Sequence, residues 1–157
     1  MNPLIAPRTK EPHVREGLAR VFTGAVEFSS AGHAAITRIT DEVRERVAES
    51  GISNGAVTVF APGATAAVTT IEYEPGVVQD LQQVLEEIVP SGRHWQHNIN
   101  NGDGNGHSHV RAGLLGPSLT VPVVSGRLTL GTWQEIVFCD FDARPRERSL
   151  VVQVMGV

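Results

Sequence analysis

The chain has 157 residues, 41% of them hydrophobic and 19% charged, with a net charge of -4. That is enough for one domain with a real core. The acidic balance excludes nonspecific nucleic-acid binding, which needs a basic face, and no apolar run approaches the ~20 residues of a membrane span. Residues Met1 to about Gly17 are polar and carry proline, so they read as an N-terminal arm ahead of one domain, 18–157. Met1 to Lys10 lacks the apolar stretch of a secretory signal, and the lone Cys139 cannot form an internal disulfide. A reducing cytoplasmic home is expected, with Cys139 a buried thiol.

In chain order, Leu18 to Phe28 reads as a strand. Ile36, Ile39, Val43 and Val47 recur at helical spacing, so Ile36 to Ser50 reads as an amphipathic helix stopped by Gly51. Ala56 to Phe60 and Ala66 to Tyr73 read as strands. Pro75-Gly76 then opens a helix over Val77 to Val89, stopped by Pro90-Ser91-Gly92. Ser91 to His107 is rich in Gly and Asn without periodicity, and a loop of that length is usually functional. Val110 to Leu115, Leu119 to Val124, Arg127 to Phe138 and Ser149 to Met155 read as strands, with a hairpin turn at Val124 to Arg127. The expected class is α+β, a largely antiparallel sheet with two main helices on one side. Leu119-Thr120-Val121-Pro122-Val123 is too apolar to face water, so an oligomer is expected to cover the other face.

Chemistry concentrates between Asp103 and Gln134. His107 and His109 are two apart, which in an extended chain turns both imidazoles to one side. With His97 they could hold a zinc-like divalent ion with a position left open, or act directly on a substrate. Glu72, at a strand end, could orient an imidazole or serve as a base, while Glu74 reads as solvated surface. Arg144, Arg146 and Arg148 flank Pro145 in a cluster suited to phosphate or carboxylate. Trp133 reads as core, and its neighbour Gln134 needs partners if buried. Pro62 to Ala67 is a small-residue turn that lets a ligand approach, and it lacks the ending of a Walker loop.

Taken together, Pro62-Gly63-Ala64-Thr65-Ala66-Ala67, Asp103-Gly104-Asn105-Gly106-His107-Ser108-His109, Gly131-Thr132-Trp133-Gln134 and Arg144-Pro145-Arg146-Glu147-Arg148 resemble the YjbQ-like family. The family is also labelled secondary thiamine-phosphate synthase, and the resemblance runs from about Val21 to Gly156. It implies a compact α+β homotrimer with sites near subunit boundaries. It also implies thiamine-phosphate synthase-like activity, joining a pyrimidine methyl diphosphate to a thiazole phosphate with release of pyrophosphate. The candidate catalytic residues are then His107, His109 and Glu72. Arg144, Arg146, Arg148, Thr65, Asn105 and Gln134 are the candidates for holding a small phosphorylated substrate. Many members carry His and Asn where this chain has Gly63 and Ile71, while Thr65, Thr69 and Glu72 are retained. Two other functions suit the same residues: a metal-dependent hydrolase of a small phosphorylated or acyl metabolite, and a non-enzymatic trimeric metabolite-binding protein.

Overall fold

A computed structural model of the chain describes residues 14–157. The proposed signal-free segment Met1 to Lys10 and most of the expected arm lie outside these residues; residues 14–19 form neither helix nor strand. Twelve elements follow: β1 Arg20–Ser30, β2 Ala35–Arg38, α1 Thr40–Ser50, β3 Gly55–Phe60, β4 Ala66–Glu72, α2 Pro75–Ile88, α3 Gln96–Asn101, α4 Gly106–Leu115, β5 Ser118–Val124, β6 Arg127–Leu128, β7 Gln134–Asp140 and β8 Arg146–Gly156. The strands form a five-stranded sheet, β1-β8-β3-β5-β6, and a three-stranded sheet, β2-β7-β4. Every pairing is antiparallel. The class is α+β.

Two apolar layers hold the sheets. Val57, Val59, Leu150, Val152 and Val154 of the larger sheet meet Val68, Ile136 and Phe138 of the smaller one, with Val43 and Val47 of α1. On the other face of the small sheet, Ile36, Ala67, Val137 and Cys139 pack against Leu85 of α2 and Ala112 of α4. Alternation along β7 thus feeds both layers. The outer face of the large sheet is open, and Val21, Phe60 and Met155 are exposed there.

Several sequence expectations are corrected. Ile36 belongs to β2, and the helix starts only at Thr40. Ile36 goes to the other apolar layer, while Ile39 shares one with Val43 and Val47, so the helical spacing holds only from Ile39 onwards. Val110 to Leu115 is helical, part of α4. The buried side of α4 carries Ser108, Arg111 and Ala112, with Leu115 partly buried. Two of those four positions are polar, which hid the 3.6-residue period. Ser108 Oγ donates to the Phe141 carbonyl. Arg111 Nε and Nη2 donate to the Val89 carbonyl at 3.0 and 2.7 Å, and the guanidinium pairs with Glu86. The Ser91–His107 loop contains the short helix α3. Trp133 is 72% exposed rather than core, in the turn that separates β6 from β7. Glu74 is more than surface: it caps α2, accepting from Gly76 N at 2.8 Å and from Val77 N, with Pro75 in the first turn.

Candidate functional site

The segment joining α3 to α4 folds back on itself. Gly102 and Gly104, with φ of 71° and 70°, take the left-handed conformation that this reversal needs. The reversal brings Asp103 against His97, with Nε2 3.1 and 3.3 Å from the two carboxylate oxygens. The imidazoles of His97 and His109 are 4.4 Å apart between centroids. His97, Asp103 and His109 each present a ligand atom to one small volume, and all these atoms lie within 4.8 Å of one another.

The outer ring nitrogens are tied down. His109 Nδ1 lies 3.0 Å from the Ala64 carbonyl, which can only accept, so Nδ1 carries the proton. In the neutral ring, Nε2 then turns its lone pair to the cluster. His97 Nδ1 lies 3.0 Å from the Asn101 carboxamide. The Gly63–Thr65 turn therefore positions His109, and α3 positions His97.

His107 stands apart from this group. On a helix, residues two apart differ by about 200° in direction, so the shared side expected of an extended chain is lost. His107 is half-buried near Arg111, and its Nδ1 is buried without a hydrogen-bond partner among the described residues. Burial first, and then the Arg111 charge, push its pKa below the ordinary histidine value. Asp103, which sequence reasoning did not single out, takes its place beside His97 and His109. The signal available was a carboxylate between glycines, six residues after His97 and six before His109.

The arginines divide. Arg148 donates to Asp140 through Nε at 2.8 Å and Nη2 at 2.6 Å, and Asp140 is fully buried. Arg146 Nε donates to Asp142 at 2.9 Å. Thr65 Oγ1 donates to Asp142 at 3.2 Å and accepts from Arg148 at 3.3 Å. Burial alone would raise the Asp142 carboxyl, but Arg146, Thr65 and Arg148 outweigh it and hold the group below its ordinary pKa. Thr65 and Arg148 thus belong to an internal network that locks the Gly63–Thr65 turn onto the start of β8. Arg144 is exposed and has no ion-pair partner among the described residues. Arg144 and Arg146 line a cleft of about 400 Å³ together with Asp103, Asn105, Asp142 and Ala143. His109 also borders a second, mostly apolar hollow of about 270 Å³ with Gly63, Ala66, Ala112 and Pro117.

Glu72 and Gln134 lie elsewhere within the chain. They face each other across β4 and β7, while the site end of the same ladder pairs Ala66 with Asp140. Six residues of strand separate the two ends, roughly 20 Å. Gln134 accepts from Gly131 N and donates to Thr70 Oγ1, both at 3.0 Å, shaping its own turn.

A model of the family described as UPF0047 protein YjbQ-like matches residues 24–157. The chain belongs to the YjbQ-like UPF0047 family. A UPF0047 protein of Archaeoglobus fulgidus is 41% identical over 82% of this chain and 97% of its own length. YugU, the UPF0047 protein of Bacillus subtilis, is 38% identical over 75% of this chain and 87% of its own. Among solved structures, a YbjQ-like protein of unknown function from Sulfolobus solfataricus superposes with a TM-score of 0.84. It is 33% identical, covering 88% of this chain and 99% of that one. A yjbq/upf0047 family protein of Clostridium acetobutylicum gives 0.74 at 35% identity, covering 82% and 98%. The family match spans the α3–α4 site and both sheets, so the YjbQ-like fold is the frame in which the site is read.

Proposed function

We propose that this YjbQ-like chain is a transferase of thiamine-phosphate synthase type, acting on small phosphorylated metabolites. One observation supports it above the others: the exposed Arg144 and its neighbour Arg146 share a cleft with Asp103 and Asn105 of the imidazole cluster. A guanidinium pair binds a diphosphate, and the adjoining His97 and His109 border the place where the leaving group departs. The apolar hollow on the other flank of His109 suits an aromatic ring. In this reaction the thiazole nitrogen attacks the pyrimidine methylene carbon. A C–N bond forms, the C–O bond to the diphosphate breaks, and pyrophosphate leaves with the bonding electrons. Arg144 and Arg146 stabilise that developing charge.

The test is to incubate the purified protein, supplied with divalent cations, with both precursors and follow thiamine phosphate by fluorescence after oxidation. Product is expected. Arg144→Ala and His109→Ala are each expected to lower the rate about 100-fold. No product from the wild-type protein would sink the reading.

A second reading, hydrolysis of a small phosphorylated or acyl compound, draws on the partial exposure of His97 and Asp103, 31% and 46%, which admits water. Release of phosphate or carboxylate without the thiazole partner would distinguish it. We also propose assembly as a homotrimer through the open face of the large sheet, in a reducing cytoplasm. The exposed Val21, Phe60 and Met155 support the assembly.

A further inference from the structure

We propose that His97, Asp103, Asn105 and His109 form a binding site for one divalent transition-metal ion. The argument rests on the Asn105 carboxamide. One of its terminal atoms lies 3.0 Å from His97 Nε2, 3.2 Å from His109 Nε2, and 3.0 and 3.2 Å from the two Asp103 oxygens. Placed as oxygen, that atom faces lone pairs. Placed as nitrogen, it has two protons for four neighbours. At least three of those neighbours can only accept while His109 is neutral: the two carboxylate oxygens and His109 Nε2, whose tautomer the Ala64 carbonyl sets.

Two agents relieve such crowding: extra protons on the imidazoles, or one cation shared by all four side chains. The spacing favours the cation. Bonds of about 2.0–2.2 Å to nitrogen and oxygen set neighbouring ligand atoms roughly 3.0–3.5 Å apart, as found around Asn105. The outer contact of His109 to Ala64 fixes the tautomer and aim of a metal-bound imidazole, and Asn101 stands beside the outer nitrogen of His97. On metal binding, Asn101 would present its oxygen to His97 Nδ1–H. Two imidazoles with carboxylate and carboxamide oxygens suit Zn²⁺, Mn²⁺, Fe²⁺, Co²⁺ or Ni²⁺ better than Mg²⁺ or Ca²⁺. His107 is not a ligand.

The inference deepens the proposed reading of the same cluster, but its test uses no substrate, so either can fail alone. Full-length protein is stripped with chelator, titrated with Co²⁺ and Zn²⁺, and dialysed for elemental analysis. The expected result is about one ion per chain, with visible Co²⁺ absorption bands of a mixed nitrogen and oxygen site. His109→Ala, His97→Ala and Asp103→Ala should each weaken binding about 100-fold or more, and Asn101→Ala about 10- to 100-fold. Asn105→Asp should keep the ion, and Asn105→Leu should lose it. Far-ultraviolet circular dichroism of each variant separates loss of binding from loss of fold. Wild-type protein that retains no ion, or binding unaltered in folded His97→Ala and His109→Ala, overturns the proposal. So does a histidine titration by NMR showing both rings doubly protonated near neutral pH in the metal-supplied protein.

Discussion

At the scale of single residues, charge does two jobs in this chain. Arg148, half-buried, pairs with the fully buried Asp140 and clamps β8 to the end of β7. Removing one partner strands the other, so Arg148→Ala should cost about 3–5 kcal/mol in chemical denaturation. Arg144 is exposed instead, and Arg144→Ala should leave stability within about 0.5 kcal/mol while lowering the proposed coupling rate about 100-fold. His107 makes a different prediction. Its folded pKa is depressed, so the unfolded chain takes up a proton first as pH falls below about 6.5. The fold therefore loses stability from about pH 6.5 downwards until its own His107 titrates. Asp142, also depressed, contributes stability that is present above about pH 3.9 and is lost as pH falls through its folded pKa. Melting temperature against pH should show two acid steps, and His107→Gln should remove the upper one. A single step near pH 4 in the wild type would refute this. Burial pushes the Cys139 thiol up to about 12, so it stays protonated at neutral pH.

At the scale of elements, what could be read from the sequence depended on how plainly each segment declares its period. β1, β3, β4, β5 and α2 stand close to where alternation, helical spacing and Pro75 put them. α4 did not declare itself, because Ser108 and Arg111 occupy inward positions that pattern reading reserves for apolar side chains. Their partners, the Phe141 and Val89 carbonyls, lie 33 and 22 residues away and are invisible locally. The same misreading placed His107 beside His109. The candidate site was half legible: His97, His109, Asn105, Arg144 and Arg146 could be named, but Asp103 joins them only through a reversal at two left-handed glycines. Two element-level tests follow. Arg111→Ala leaves the buried Val89 carbonyl without its partner, and should lower stability by about 1–3 kcal/mol. Glu74→Ala removes the α2 cap and should cost about 1 kcal/mol. Both are measurable by urea denaturation.

At the scale of the whole molecule, the two faces of the large sheet differ in kind. The inner face is saturated with Val and Leu, while the outer face mixes Thr58 and Thr120 with exposed Phe60, Val21 and Met155. Such a face in a trimer would be covered, and a trimer is the assembly to look for. Met155→Lys combined with Phe60→Glu should shift sedimentation from trimer to monomer. Unchanged sedimentation would move the interface to another surface, such as the outward side of α2, where Val84 and Ile88 are exposed.

The strand order carries a consequence for how the chain folds. β8 lies between β1 and β3, so neither can gain that neighbour until β8 has been made. Arg20 pairs with Gly156, and Thr40 reaches across to Ile136, so the loops to be closed span most of the domain. Chains ruled by such distant pairings fold slowly, in milliseconds to seconds. During synthesis β1 must wait unpaired while β3 can pair only with β5, and nascent chains at that stage are where chaperones would be needed most.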